Sequence, residues 1–320
     1  MNIRICGTGS AIPSKRVTND DLSKIMDTSD EWISTRTGIR ARHLAETETT
    51  TSLAVTASQR ALENAGVQAE EIDLIIAATA TSDYVVPTLS CEVQRELGAS
   101  HAVAFDLGAA CSGFLFALST AQAYIASGMY KNALVIGAEV LSKLMDWSDR
   151  STCVLFGDGA GAVVVKADEN AAFESVQGSD GAKGMVLACK NRPVVNPYHD
   201  DQEAYSHLSM DGQEVFRFAV RTVPVAIRQV LDKAGIAEDE VKYFVLHQAN
   251  LRIIEAVAKR LGVPMEKFPT NMQECGNVSA ASVPILLDEI NRKGMIQRGD
   301  RLVLAGFGAG LTWGAAVLNW

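Results

Sequence analysis

The sequence predicts an α/β fold built twice over. Two stretches repeat one another at a nearly constant offset, and each alternates helical with apolar strand patterns. Small residues interrupt the chain where strands pass into helices. Leu62–Ala78 matches Leu231–His247: helix, glycine stop, acidic turn, buried strand, with Gly66 and Gly235 169 positions apart (235 − 66). Further on, Gly128-Met129 and Gly294-Met295 lie 166 apart (294 − 128), each ahead of an apolar strand. Cys111 precedes the first of these glycines by 17 positions (128 − 111) and Asn277 the second by 17 (294 − 277), which assigns them to equivalent elbows of the two halves. The halves are residues 1–170 and 171–320, and their alternation predicts mostly parallel sheets covered by helices. Sites in such sheets lie at the carboxyl ends of strands, so a pseudo-two-fold axis can bring distant residues together.

Each element has its own signature. The opening MNIRICGTGSAIPSKRV reads as a first strand; it is too short and interrupted for a signal peptide. The apolar end of Leu62–Ala78 reads as a buried strand after the first glycine stop and its acidic turn. Gly113–Ala126 contains Ser119, Thr120 and Gln122, which makes it a core helix rather than a membrane span. NALVIGAE is the strand that follows. Gly157–Val165 is glycine-rich but lacks the lysine of a P-loop and the GxGxxG spacing, so it reads as tight packing at a strand start. Arg217, Arg221 and Arg228 share one helical segment. VKYFVLH is a strand ending at His247, and a helix begins near Asn250 with apolar Leu251, Ile254, Val257, Ala258 and Leu261 on one face. RLVLAGFG closes the second half and runs into Phe307–Trp313, a glycine-rich turn.

The chain has 320 residues, 48% hydrophobic and 21% charged, the balance of a globular enzyme. A net charge of −9 argues against a general nucleic-acid binder. Six cysteines with no CxxC and no metal-ligand spacing read as the reduced thiols of a cytoplasmic protein.

Cys111 stands among Gly108, Ala109, Ala110, Ser112 and Gly113, between a short apolar run and the long helix. At a helix start the free N–H groups and dipole favour an anion, which predicts a lowered thiol pKa and a nucleophile. A buried structural thiol is the competing reading, and local sequence leaves both open. His247 ends a buried strand and is followed by polar Gln248, Ala249 and Asn250; a structural histidine is its alternative. Asn277, in ECGNVSAAS, reads equally as a ligand group or a helix N-cap. The 307–313 turn can offer N–H donors to an oxyanion. Trp32 and Arg36 sit one turn apart, a pair able to grip a nucleotide, or a plain surface helix. Arg252, Lys259 and Arg260 lie on the polar face of the helix after His247, where they suit an acidic partner or solvent.

Together the blocks TSDEWISTRTGIRARH, ACSGF, FGDGAGA, HQANLRII, GNVSAASVP and FGAGLTWG resemble the thiolase superfamily, and within it the β-ketoacyl-acyl-carrier-protein synthase III family, over nearly the whole chain. That resemblance implies a duplicated thiolase-like fold, two mixed, mostly parallel sheets in a five-layered αβαβα arrangement. It implies a Cys111–His247–Asn277 triad, with backbone N–H groups of Cys111 and Ala309 as an oxyanion hole. Coenzyme A would be held by Trp32, Arg36, Arg150 and Asn250, and acyl carrier protein by Arg217, Arg252, Lys259 and Arg260. The implied reaction is decarboxylative condensation of an acyl-CoA primer with malonyl-carrier protein, initiating fatty acid synthesis, in a cytoplasmic homodimer with no metal or organic cofactor. Val86 stands where well-known members carry a bulky aromatic that reaches across the dimer into the acyl pocket, so primers longer than acetyl, including branched ones, are expected. Ala309 replaces a common glycine. The rival readings are a relative using a specialised acyl-CoA in secondary metabolism, a cysteine hydrolase with Asn277 orienting His247, and a non-catalytic binding subunit.

Overall fold

Nine strands and seven helices position the site. The strands are β1 (Asn2–Ala11), β2 (Leu74–Ala78), β3 (Val103–Leu107), β4 (Asn132–Val140), β5 (Asp158–Asp168), β6 (Phe173–Gly184), β7 (Tyr243–Leu246), β8 (Arg301–Gly308) and β9 (Gly310–Asn319). The helices are α1 (Asp30–Thr37), α2 (Thr50–Ala65), α3 (Leu89–Leu97), α4 (Gly113–Ala126), α5 (Gly212–Ala234), α6 (Leu251–Leu261) and α7 (Ser282–Arg292). The structure, a computed structural model, describes residues 1–200 and 206–320.

The first sheet has the order β1-β5-β4-β2-β3 and the second β7-β8-β9-β6. Read in the opposite direction, the second repeats the first without its fifth strand. Helices α4 and α7 fill the space between the sheets in one shared apolar cluster with Phe114, Leu118, Val283 and Leu287. Helices α2 and α3 cover the outer face of the first sheet and α5 and α6 that of the second, completing five layers. No described helix is long and apolar enough to cross a membrane.

Both sheets are mixed, but parallel pairing is less extensive than the alternation predicts. It joins β2 to β3, β2 to β4 and β7 to β8, whereas β1–β5, β4–β5, β8–β9 and β9–β6 are antiparallel. The cause is local: β8 turns into β9 through Ala309 alone, and β4 reaches β5 with no covering helix, so neither link is a right-handed crossover.

Local chemistry sets the boundaries. Thr49 caps α2 by accepting from Ser52 N, and Gly66 ends it at φ 62°. Asn250 caps α6, its side chain accepting from Arg252 N. The tight packing expected at Gly157–Val165 is observed: a Cβ on Gly161 would lie 2.7 Å from the backbone of α7.

The duplication corrects one expected correspondence. Ala110–Ser112 and Ser279–Ala281 each form a single 3-10 turn, ahead of α4 and α7 respectively. Ala110 and Ser279 both hold positive φ, 45° and 46°. At that register the offset is again 169 (279 − 110), so Cys111 corresponds to Ala280, not Asn277. The 166 offset arises because α7 has 11 residues where α4 has 14, and a longer link before β8 restores the register.

Candidate active site

Cys111 is buried at the first turn before α4, directly after β3. Ala110 holds φ 45°, a strained value that turns the chain sharply ahead of Cys111. The turn is stapled to the β8–β9 turn: Ser112 Oγ and Thr312 Oγ1 are 2.8 Å apart, and both donate to Ala109 O. Gly308 is needed there, since a Cβ on it would lie 2.6 Å from Cys111 N. Cys111 and Ala309 line a cavity of about 810 Å³, with Thr81, Leu141, Phe156, Leu208 and Ser279 in its wall.

His247 follows β7 directly, its backbone N–H donating to Ala305 O at 2.8 Å and its ring edge-on to Phe307. A Cβ on Gly306 would lie 3.6 Å from both Cys111 O and His247 Cβ, so the two residues flank one glycine. Burial lowers the His247 pKa to about 3, and the ring is neutral. Its Nδ1 has no hydrogen-bond partner. Asn277 is buried on the other side, its backbone tied to Leu155 O and Gly157 N. Its Oδ1 accepts from Ser279 N at 2.9 Å, which turns its NH₂ the opposite way. Asn277 is therefore no cap of α7, whose N-terminal flank is Ala281.

The expected lowering of the Cys111 pKa is overturned. Burial pushes the thiol up to about 12, the Glu139 charge adds to the rise, and a Ser279 hydrogen bond opposes it. A helix start is a local feature readable in sequence, but desolvation between two sheets outweighs it.

Trp32, Arg36 and Arg150 come together as expected: the guanidinium carbons lie 4.8 and 5.1 Å from the indole centroid. Arg150 also bonds Asp27, and Asn250 Nδ2 donates to Arg36 O at 3.1 Å, tying α1 to α6. Arg217 and Arg260 border a depression of about 340 Å³ with Arg221 and Lys183, and Arg217 pairs with Glu214. Arg252 lies over Phe216, and Lys259 is exposed beside Arg260. Val86 is 78% exposed; Tyr84 and Val85, not Val86, border this chain's own cavity.

Two residues of the site escape a sequence reading. Glu139 is wholly buried in β4, where it accepts from Thr81 Oγ1 at 2.5 Å and Ala80 N at 3.1 Å. Ser279 lines the same cavity as Cys111. Among the described residues no group of three or more His, Cys, Asp or Glu is placed to hold a metal, and the cysteines are unpaired.

Comparison with known proteins shows what the chain is similar to. Residues 105–181 match the family model for 3-oxoacyl-[acyl-carrier-protein] synthase III, and residues 231–320 match the model for its C-terminal part. The chain is 50% identical to beta-ketoacyl-[acyl-carrier-protein] synthase III of Clostridium acetobutylicum, covering 100% of this chain and 99% of that one. It superposes on 3-oxoacyl-[acyl-carrier-protein] synthase III from Aquifex aeolicus with TM-score 0.94 and 46% identity, over 99% of this chain and 100% of the other. The priming β-ketosynthase of the R1128 polyketide pathway superposes with TM-score 0.94 and 40% identity, over 99% and 96%.

Proposed function

The chain belongs to the 3-oxoacyl-[acyl-carrier-protein] synthase III family, a family of condensing acyltransferases, and from that premise we propose how its residues divide the reaction. Cys111 attacks the thioester carbonyl of an acyl-CoA, coenzyme A leaves, and the acyl group stays on sulfur. Backbone N–H groups of Cys111 and Ala309 hold the oxyanion, each donor in such a hole contributing about 3 kcal/mol. Malonyl-acyl-carrier protein then enters. Nε2–H of neutral His247 and the Asn277 amide donate to its thioester carbonyl and stabilise the enolate formed as carbon dioxide departs. The enolate carbon attacks acyl-Cys111, giving 3-ketoacyl-carrier protein, the first condensation of fatty acid synthesis.

One observation carries this reading over a cysteine hydrolase. A hydrolase needs Asn277 to orient His247 as a base, yet His247 Nδ1 has no partner and Asn277 Oδ1 is committed to Ser279 N. Asn277 therefore does not orient His247, and the neutral imidazole and the Asn277 NH₂ each keep an N–H for the enolate oxygen.

Coenzyme A is held by Trp32, Arg36, Arg150 and Asn250, which the stacked guanidinium groups support. Acyl carrier protein, as an acidic partner, docks on Arg217, Arg252, Lys259 and Arg260. The chain works as a cytoplasmic homodimer; the exposed run Tyr84, Val85 and Val86 supports the pairing. The reaction calls on no metal or organic cofactor.

Separate assays of the half-reactions test the roles. Cys111→Ser abolishes self-acylation by acyl-CoA on intact-mass spectra. His247→Ala and Asn277→Ala keep acylation and lose malonyl decarboxylation. Equal loss of both half-reactions in all three variants refutes the division, and hydrolysis of acyl-CoA without malonyl-carrier protein restores the hydrolase.

A further inference from the structure

Arg42 is wholly buried, the largest side chain so placed among the described residues. It comes from a hairpin, Lys15–Thr18 paired antiparallel with Ala41–Leu44, which carries none of the catalytic residues. Its guanidinium donates to Val17 O at 3.3 Å, Asn19 Oδ1 at 2.8 Å and Val154 O at 2.5 Å, and among the described residues no carboxylate pairs with it. A cation buried in this way is costly, and an apolar side chain of similar volume would serve the core better. Its hydrogen bonds therefore point to a task beyond filling space.

Two of those bonds stay beside the hairpin, and the third crosses to the segment that holds Asn277. The carbonyl next to Val154 O, that of Leu155, accepts from Asn277 N at 2.8 Å, and Gly157 N donates to Asn277 O at 3.0 Å. Phe156 and Asn277 thus form an isolated parallel bridge outside both sheets. Residues 150–155 run in turns, so a buried carbonyl there lacks a ladder of its own and takes its donor from a side chain. The stem of Arg42 also touches the bridge: a Cβ on Gly276 would lie 3.2 Å from Arg42 Cβ, and one on Gly157 3.3 Å from it. Arg40 N donates to Gln273 O at 3.0 Å, which ties the chain entering Asn277 to the same hairpin.

We propose that Arg42 is a positioning residue for Asn277: its guanidinium holds the Val154–Gly157 segment, and that segment holds the Asn277 backbone where its amide reaches the enolate oxygen. The inference rests on the donor role proposed above for Asn277. A planar fork is needed because Nη1 and Nη2 bond Asn19 and Val154 at the same time, which a single ammonium cannot do. Asn19 is itself anchored, its Nδ2 donating to Asp30 Oδ1 and Ile39 O, both at 2.8 Å. Cys111 and His247 are carried by other elements, the turn before α4 and the end of β7, so loss of the fork separates the two half-reactions.

The test follows both half-reactions in the full chain: acylation by acetyl-CoA on intact-mass spectra, and carbon dioxide release from malonyl-carrier protein. Arg42→Met keeps the stem and removes the fork, and Arg42→Lys keeps the charge. Arg42→Met lowers kcat for decarboxylation about 10²-fold, the effect of a displacement near 1 Å, while acylation and KM for malonyl-carrier protein stay near the parental values. Arg42→Lys, reaching one partner at a time, recovers part of the loss. Because Arg42 acts through Asn277, Asn277→Ala and the double variant Arg42→Met/Asn277→Ala decarboxylate equally slowly. Parental decarboxylation in Arg42→Met, an equal fall in both half-reactions, or a further loss in the double variant overturns the inference. Should Arg42→Met not fold, Arg42→Lys, alone and combined with Asn277→Ala, decides. Parental decarboxylation in Asn277→Ala overturns the donor reading itself, a different result from unmoved Arg42 variants beside a crippled Asn277→Ala.

Discussion

Gly308→Ala isolates the geometric demand on the nucleophile. The added Cβ would lie 2.6 Å from Cys111 N and 3.2 Å from Cys111 Cα and Cβ. Ordinary contact begins at 3.4 Å, so the elbow or the strand must move by about 0.8 Å (3.4 − 2.6). Neither has slack: β8 is paired with β9 as far as Gly308–Thr312, and Ser112 and Thr312 clamp the elbow to the same turn. Strain of this kind costs about 1–3 kcal/mol of stability. A displacement near 1 Å at the reacting atom lowers the rate about 10²-fold. Gly306→Ala is the control, since its Cβ would meet Leu115 Cδ1 at 3.3 Å, a movable side chain, with Cys111 O and His247 Cβ at 3.6 Å. The assay is acylation of Cys111 from acyl-CoA, followed by mass, alongside thermal unfolding. Gly308→Ala acylating as fast as Gly306→Ala would refute the claim that close approach of β8 positions the thiol.

Trp32→Ala removes the ring beneath Arg36 and Arg150. Because one aromatic stacking contact contributes about 1–3 kcal/mol, KM for acyl-CoA should rise about tenfold or more while kcat holds; an unchanged KM rejects the coenzyme A assignment. Arg252→Glu should raise KM for the carrier-protein substrate more than that for acyl-CoA, an effect that fades as salt is added. Val86→Phe should lower turnover of isobutyryl-CoA relative to acetyl-CoA, and no change in that ratio removes Val86 from the acyl pocket. His247 has a folded pKa below its ordinary 6.5, so the unfolded chain binds the proton first as pH falls. Its contribution to stability is complete above 6.5 and shrinks toward pH 3, by up to about 1.4 kcal/mol per unit. Urea midpoints against pH should show a shallower acid limb in His247→Gln.

Which parts of this protein were legible in its sequence follows from which were local. The boundary from β7 into α6 was readable because His247, Gln248 and Asn250 break an apolar run at the point where Asn250 caps a helix. The elbow at Cys111 was readable from its small neighbours. The strained residue within it was not, because alanine at φ 45° has no sequence signal and is held only by tertiary packing. The direction of the thiol's pKa was hidden for a related reason: helix dipoles are local, whereas desolvation comes from burial that packing against residues far along the chain, Gly306 and Gly308 among them, produces. Glu139 closes the strand NALVIGAE, where a lone acid reads as the solvent end, and only the tertiary structure, with Ala80 N and Thr81 Oγ1 donating to it, reveals a buried carboxylate. The spacing from Cys111 and Asn277 to their glycines matched, but a three-residue difference in helix length offset the elbows behind it.

Once the register is corrected, the duplication explains how so many polar groups fit at one place. At an offset of 169, Cys111 corresponds to Ala280, Ser279 to Ala110, His247 to Ala78 and Glu139 to Gly308. Every polar member of the site thus faces a small residue in the equivalent position of the other half. Near a pseudo-two-fold axis, equivalent positions approach one another, so a large residue on both sides would overfill the space. The glycines show the approach directly. A Cβ on Gly137 of β4 would lie 2.3 Å from Ala280 O, and one on Gly306 of β8 would lie 3.6 Å from Cys111 O, each strand packing against the other half's elbow. Two residues further along, the strands diverge in purpose. Gly308 leaves room for Cys111 to come close, whereas Glu139 extends a carboxylate to Ala80 N and Thr81 Oγ1. One half has kept the space and the other the acid, so two otherwise matching strands differ at the position nearest the elbow of the other half.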